Sequence, residues 1–186
     1  KIRESVGGDL EIMIDGHGFF LLPAALRIAD ALREIEPIWL EDILKMDNVS
    51  TLAEFRRQSR MPISASEMLL TRTDFVDVLE RRAADYVMVD PTWAGGISES
   101  MRIANLAGAY NIPVTCHDCT GPLTLLAGLH INAAVANAMY QETVRAHIQT
   151  FYDELIDLPL RVEDGCLPIP TGPGLGARFH DELFDA

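Results

Sequence analysis

Four short apolar runs, spaced almost evenly along the chain, each end on a carboxylate. They end at Asp15, Glu41, Glu67 and Asp90, and a fifth run ends at His117. The intervals between these positions are 26, 26, 23 and 27 residues, and each interval holds one amphipathic helical segment. The pattern predicts a β/α repeat in which each strand carries a polar group at its carboxyl end. In a (β/α)₈ barrel those ends share one rim, where active sites are built.

Six strands are expected, with a helix after each of the first five. The predicted strands are residues 10–14, 38–40, 63–66, 86–89, 112–116 and 138–141. Six strands cannot close an eight-stranded barrel, so we expect the C-terminal part of a (β/α)₈ TIM-type barrel from a longer chain, the alternative being an open sheet. The start at Lys1 rather than at Met, within what resembles the end of a helix, favours the fragment.

The chain is expected to divide into two parts. Residues 1–143 are assigned to the partial barrel. Residues 144–186 are rich in proline and glycine, which predicts an extended, turn-rich C-terminal segment that packs on the barrel or on a domain absent from this chain. Within the barrel, Ser50 is predicted to cap a helix over residues 51–59, with Glu54 as its capping-box partner.

Charge and composition exclude several classes of function. The chain of 186 residues has a formal net charge of −13, which argues against binding to nucleic acid or to anionic membranes. It has no apolar run of the ~20 residues that a membrane-spanning helix needs. The three cysteines, Cys116, Cys119 and Cys166, lack the spacing of a zinc site or a disulfide framework. Reduced thiols and a cytoplasmic location are therefore expected.

Three of the strand-end carboxylates predict a metal site. Asp15, Glu41 and Glu67 would supply three oxygen ligands to one rim, and Mg²⁺ prefers oxygen ligands while retaining some waters. For any one acid the alternative is a solvated side chain or a helix cap. The regular spacing of three, each directly closing an apolar run, favours a shared site. Asp42, next to Glu41, is a competing ligand.

Two histidines at the same rim are candidates for proton transfer. His117 ends the fifth predicted strand, and Asp90 ends the strand before it, so the carboxylate can orient the imidazole as a general base. His17 lies two residues after Asp15 and is expected to face the same side, as an acid or a ligand. Glu142 follows the last predicted strand and completes the ring of polar groups, with a solvated or helix-capping role as its alternative. Other histidines are assigned structural roles: His130, His147 and His180.

These elements together resemble a known family over almost the whole chain. The matching elements are Ile14-Asp15-Gly16-His17-Gly18, Trp39-Leu40-Glu41-Asp42, Ala65-Ser66-Glu67, Val89-Asp90-Pro91, Ala94-Gly95-Gly96-Ile97-Ser98-Glu99, His117 followed by Gly121-Pro122, Gln141-Glu142, and Pro173-Gly174-Leu175-Gly176. Their order and spacing resemble the C-terminal barrel portion of the enolase superfamily, in its mandelate racemase-like branch. One departure is Ile43, where the family usually has proline two residues after the second ligand.

The resemblance implies roles for the individual residues. It makes Asp15, Glu41 and Glu67 the Mg²⁺ ligands and His117 with Asp90 the dyad that removes a proton next to a carboxylate. It makes Glu142 a hydrogen-bonding partner of the developing enediolate. It also implies an N-terminal capping domain and the first barrel strands elsewhere in the full-length chain, and a homo-oligomer.

The aspartate-X-histidine turn at Asp15 resembles that of some acid-sugar dehydratases. The resemblance therefore implies an Mg²⁺-dependent hydro-lyase that converts a sugar acid, an aldonate or aldarate, into a 2-keto-3-deoxy acid. In that role His17 would protonate the leaving β-hydroxyl. A racemase or epimerase of the same superfamily remains open, as does a barrel that binds a metal or sugar acid without turnover. A barrel metallohydrolase using Asp15 and His17 is less consistent with a rim rich in carboxylates.

Overall fold

The computed structural model describes residues 1–184, and its centre is a single curled sheet of six parallel strands. The strands are β1 (Ile14–Asp15), β2 (Leu40–Glu41), β3 (Ile63–Ala65), β4 (Tyr86–Val89), β5 (Val114–Cys116) and β6 (Ala138–Gln141). They lie side by side in sequence order, each parallel to the next. This half-barrel confirms the predicted fold class.

Three of the strands, β1, β2 and β5, begin later than predicted, whereas the other three begin at the predicted residues. The first predicted strand, residues 10–14, is reduced to the last two positions of its run, and Leu10 is 54% exposed. β1 is an edge strand whose only neighbour in the sheet is β2, so the residues that precede it have no second ladder to hold them extended. Asp15 and Glu41, predicted to follow their strands, pair with each other inside them.

One short helix precedes the first strand, and a longer helix follows each of the first five strands and packs on the sheet. They are α1 (Ile2–Val6), α2 (Leu22–Leu32), α3 (Val49–Ser59), α4 (Arg72–Glu80), α5 (Ile97–Ala109) and α6 (Pro122–Ala134). The predicted cap at Ser50 is wrong: Asn48 has the extended backbone of an N-cap and accepts a hydrogen bond from Thr51 N at 3.1 Å. Glu54, the predicted capping-box partner, instead accepts from Gln58 at 2.7 Å.

The strands alternate their side chains between two environments. Leu40, Ile63 and Val87 are fully buried against the helices in the main apolar core. Glu41 and Met88, one position further along, line a cavity on the inner side of the sheet. This alternation with period two is what allows each strand to contribute to the core and to present a polar side chain to the barrel interior.

The C-terminal segment is not extended throughout, which corrects that part of the sequence reading. It contains two short helices, α7 (Arg145–Gln149) and α8 (Tyr152–Leu155), which present Ile148, Tyr152 and Ile156 at helical spacing. These residues pack with Leu125 and other apolar residues of α6 in a second core cluster. The proline- and glycine-rich composition that follows masks this short amphipathic pattern.

A buried polar contact also ties this segment to the rim. The hydroxyl of Tyr152 donates to the carboxylate of Asp118, with its oxygen 3.0 and 3.1 Å from the two carboxylate oxygens. The Thr143 hydroxyl donates to the same carboxylate at 3.0 Å. Asp118 directly follows His117, so the contact connects α8 to the loop that carries the candidate base.

The pairing of β5 with β6 contains a bulge that determines where Glu142 points. Val114 pairs with Ala138 but Cys116 pairs with Gln141, so β6 holds one extra residue. The Gln141 side chain donates to Cys116 O at 3.1 Å and thereby satisfies a carbonyl at the irregular point. Glu142 N then donates to the same carbonyl at 3.0 Å, which fixes the residue beside the end of β5.

Within residues 1–184, no helix combines the length and the apolar character required to cross a bilayer. All three cysteines are free thiols, as the sequence predicts: Cys116 is buried, and Cys119 and Cys166 are exposed.

Because α6 packs closely on the bulge, we expect a methyl group added at Gly128 to lower the stability of the protein. A Cβ at Gly128 would lie 2.4 Å from Gln141 Oε1 and 3.0 Å from Cys116 Cβ. We expect Gly128→Ala to destabilise the intact protein by about 1–3 kcal/mol, as overpacking does. Gly108→Ala is the matched control, since its Cβ would meet only ordinary contacts at 3.4 Å within another helix. Urea unfolding of both variants tests this, and equal stability of the two would contradict it.

Candidate active site

His117 and Asp90 form a buried pair at the carboxyl ends of β5 and β4. His117 Nδ1 lies 2.7 Å from Asp90 Oδ2. The other oxygen, Oδ1, accepts from Thr92 N at 2.7 Å, Thr92 Oγ1 at 2.6 Å and Trp93 N at 3.0 Å. One carboxylate therefore orders its own loop and orients the imidazole, as the sequence analysis expected of a dyad. The Nε2 atom is left to face Glu142, whose Oε2 lies 3.6 Å away.

The electrostatics of the pair favour a charged imidazole. Burial acts to raise the pKa of Asp90, but the hydrogen bonds from His117, Thr92 and Trp93 outweigh it, so the pKa lies below its usual range. Burial acts to lower the pKa of His117, but the hydrogen bond to Asp90 and the charges of Glu142 and Glu67 raise it overall. The arrangement suits a group that must accept a proton and hold it.

Glu41 and Glu67 lie together at the ends of β2 and β3. Both are almost fully buried, and the hydroxyl of Ser66 contacts both carboxylates, at 2.9 Å for Glu41 Oε1 and more closely for Glu67 Oε2. The indole N–H of Trp39 donates to Glu41 Oε2 at 2.8 Å. Burial, followed by the charge of Glu142, raises the pKa of Glu41 to about 8. Negative charge at this point is therefore poorly compensated by the protein alone.

Asp15 and His17 approach the same carboxylates from β1. His17 Nδ1 lies 3.7 Å from Asp15 Oδ2 and 3.4 Å from Glu67 Oε1. His17 N donates to Asp15 Oδ1 at 2.6 Å, which closes a tight turn in which His17 has a φ of 46°. Gly16 is required before it, because a Cβ there would lie 2.7 Å from Ile43 Cα. Both side chains are about half exposed, unlike Glu41 and Glu67.

Asp42 adds a further buried carboxylate beneath this group. It is fully buried, and its Oδ1 accepts from Ser66 N at 2.9 Å. Its Oδ2 is buried and has no hydrogen-bond partner among residues 1–184. Burial, with further contributions from the charges of Glu67 and Asp15, raises the pKa of Asp42 to about 7.

The donor set fits a hard divalent cation. Every group that converges from β1, β2 and β3 except His17 offers oxygen, and an orphaned carboxylate oxygen lies beside them. Among residues 1–184, no three His, Cys, Asp or Glu side chains already lie in the arrangement of a coordination shell. The polar cluster instead borders a cavity of about 270 Å³ lined by Asp15, Glu41 and Glu142, with Met13, Trp39 and Met88 among the residues of its wall.

The structure therefore brings the predicted site residues to one rim, in two groups that influence each other. Asp15, His17, Glu41 and Glu67 form one group, and Asp90, His117 and Glu142 the other. Sequence reasoning missed Ser66 and Trp39, which hold Glu41. It also missed Thr92 and Trp93, which hold Asp90. Those contacts depend on neighbouring strands and on loop geometry, which the spacing of residues in the sequence does not reveal. Ser66 does lie inside one of the matching family elements, and Trp93 lies between two of them.

A half-barrel of six parallel strands thus carries a buried His–Asp pair beside a cluster of carboxylates. The model of the family described as "Enolase C-terminal domain-like" matches residues 1–183. The chain belongs to the enolase superfamily, in its mandelate racemase-like branch.

Curated relatives include acid-sugar dehydratases. The chain is 29% identical over 184 residues to an arabinonate dehydratase of Saccharolobus solfataricus. This match covers 99% of this chain and 49% of that protein. It is 31% identical over 188 residues to a D-galactonate dehydratase of Ralstonia nicotianae, covering 98% of this chain and 49% of that protein. The chain thus spans about half the length of the curated relatives it matches.

Solved structures show the same architecture. An enolase protein from environmental sequencing of the Sargasso Sea has a TM-score of 0.93 and 40% identity, over 99% of this chain and 50% of that one. An enolase of the mandelate racemase subgroup from Agrobacterium tumefaciens has a TM-score of 0.93 and 42% identity, over 98% of this chain and 50% of that one.

The dyad predicts how His117 responds to loss of its partner. We expect Asp90→Asn to lower the pKa of His117, because the change removes the negative charge that favours the imidazolium. NMR titration of the His117 Cε1–H resonance in the intact protein measures this. The exposed Glu34→Gln is the control and should leave the titration unchanged.

The sign of the accompanying stability change follows from linkage. The pKa of His117 is raised in the folded protein, so protonation of His117 adds to the free energy of unfolding. This contribution is fully present below the unfolded-state pKa of about 6.5 and is lost as pH rises through the folded-state pKa. Asp90→Asn should therefore cost more stability at about pH 5.5 than at about pH 8.5 in urea unfolding. An unchanged His117 pKa would show that Asp90 does not control the imidazole.

Proposed function

We propose that the intact protein is a magnesium-dependent sugar-acid dehydratase. It would remove the proton next to the carboxylate of an aldonate or aldarate and expel the β-hydroxyl, giving a 2-keto-3-deoxy acid. The observation that carries the proposal is the buried His117–Asp90 pair, at 2.7 Å, facing a cluster of carboxylates at the same rim. The names of the curated relatives support the substrate class.

Asp15, Glu41 and Glu67 would hold the magnesium ion. Removing a proton next to a carboxylate creates a second negative charge, and a bound Mg²⁺ supplies the charge neutralisation that this step requires. The burial of Glu41 and Glu67 excludes water from part of the site and strengthens that interaction. The cluster of unneutralised carboxylates is itself unfavourable without a cation, which is consistent with this assignment.

His117 is assigned the role of general base. Its Nδ1 is committed to Asp90, so Nε2 is the atom free to accept the α-proton. Asp90 stabilises the imidazolium that results, as the orienting carboxylate of a histidine base does. Glu142, 3.6 Å from Nε2, lies where its carboxyl group would contact the substrate beside the reacting carbon. The burial that raises its pKa favours a protonated form able to donate a hydrogen bond to the enediolate.

His17 is assigned the role of general acid. Its ring nitrogen lies within 3.7 Å of both Asp15 and Glu67, and the side chain is about half exposed at the mouth of the site. It would give its proton to the β-oxygen as the C–O bond breaks, so that water leaves and the resulting enol becomes the 2-keto-3-deoxy acid. A racemase or epimerase is the second candidate, since similar solved structures include an enolase of the mandelate racemase subgroup. Such an enzyme would return the proton to the α-carbon instead.

A screen of sugar acids tests the proposal. The intact protein with Mg²⁺ is incubated with a panel of aldonates and aldarates, and 2-keto-3-deoxy acid formation is measured. Deuterium at the α-carbon is measured in the same samples in deuterated water. Product on one or more acids supports a dehydratase. Exchange without product favours the racemase, and neither signal on any acid refutes both.

The role of His17 predicts a separation of the two steps. We expect His17→Asn to reduce dehydration by about 10²–10⁴-fold, the usual contribution of one acid–base group, while α-proton exchange in deuterated water persists. His180→Asn is the control, because His180 contacts the Asp153 carbonyl in the C-terminal segment. Dehydration at the wild-type rate in His17→Asn would remove this residue from the acid role.

A further inference from the structure

Trp93 is a large apolar side chain left open beside a buried base. It follows β4 in the loop that begins at Asp90, and 44% of its surface is exposed. Its ring centroid lies 5.3 Å from that of His117, with the two planes inclined at 43°. The chain's other tryptophan, Trp39, is 1% exposed and uses its indole N–H on Glu41. Within residues 1–184 the Trp93 side chain donates no hydrogen bond.

The loop holds Trp93 in a fixed position. Its backbone N–H donates to Asp90 Oδ1 at 3.0 Å, and Ala94 N donates to Asp90 O at 2.9 Å. Thr92, next to it, is within 3.4 Å of the Thr124 hydroxyl on α6. The indole is therefore presented by ordered backbone on both sides, so ordering it on binding would cost little entropy.

The indole of Trp93 borders the imidazole whose Nε2 is the proposed base atom. The two rings are in contact, and an exposed aromatic face loses water favourably when an apolar surface covers it. A sugar acid carries both C–H groups and hydroxyls along its carbon chain. The indole face matches the former, and its N–H can donate to the latter.

We propose that Trp93 forms a wall of the substrate site and contacts the bound sugar acid beside His117. The proposal rests on the proposed function and deepens it by naming a residue that selects substrate. In this role Trp93 binds the chain beyond the reacting carbon, so it favours acids long enough to cover the indole. It contributes to binding equally before and during the reaction, which predicts an effect on KM rather than on kcat.

Three variants of the intact, Mg²⁺-supplied protein test this with the acid found in the screen. Trp93→Ala removes the wall, Trp93→Phe keeps an aromatic face, and Tyr110→Ala removes a comparably exposed aromatic residue at the far end of α5. We expect Trp93→Ala to raise KM about tenfold with kcat little changed, and Trp93→Phe to restore most of the loss. Tyr110→Ala should behave as wild type.

A binding measurement separates contact with substrate from an effect on the base. In a His117→Asn background, which cannot turn over the acid, Trp93→Ala should weaken the calorimetric Kd by a similar factor. The pH dependence of kcat in the His117-containing protein should not move. A fall in kcat with a displaced pH profile and an unchanged KM would overturn the proposal, because Trp93 would then act on His117.

The remaining outcomes distinguish the two proposals. Dehydration that is unaffected in Trp93→Ala and in Trp93→Phe would refute the substrate wall and leave the proposed function standing. A wild-type protein that neither converts nor binds any acid of the panel would refute the proposed function, and the role of Trp93 with it.

Discussion

Crowding of carboxylates at one rim is the constraint on which this structure depends. Glu41, Asp42 and Glu67 are buried within two adjacent strand ends, where charge is expensive and like charges repel. The protein offsets part of this cost with the Ser66 hydroxyl and N–H and with the Trp39 indole, but Asp42 Oδ2 remains without a partner in the described chain. Apolar side chains would pack the same space at lower cost, and the cation that we propose would account for the cluster.

The scaffold fixes the two chemical groups by different means. The carboxylates of β1 and β2 are placed by adjacent parallel strands, whose register aligns Asp15 with Glu41. The base side depends on an irregularity: the extra residue in β6 turns Gln141 outward to α6 and leaves Glu142 at the end of β5. Bulges of this kind re-aim side chains next to active sites, and the close approach at Gly128 leaves little room for β6 to shift.

Sequence reasoning located the strands and the rim because both depend on local pattern. An apolar run that ends on Asp90 or His117 indicates by itself that the strand is buried and that its polar end is the carboxyl end. The cap at Asn48 was missed because Ser50 offers an equally good local signal, and only the backbone conformation separates them. The Asp118–Tyr152 contact joins residues 34 apart in sequence, and the bulge depends on how two strands pair. Nothing local encodes either, so both required the folded structure.

The positions of the two histidines along the sheet are consistent with the elimination that we propose. His17 follows β1 and His117 follows β5, four strands apart, which places them on opposite sides of the axis in an eight-stranded barrel. The carboxylates of β1 to β3 lie between them.

The turn that aims His17 inward uses a left-handed φ at a non-glycine residue, a conformation that costs energy and persists where the surrounding structure imposes it. In the proposed elimination, an acid and a base on opposite sides of the cation would act on adjacent carbons of the substrate. A racemase would instead return the proton to the same carbon from a second carrier, whereas His17 contacts Asp15 and Glu67 at the end of β1.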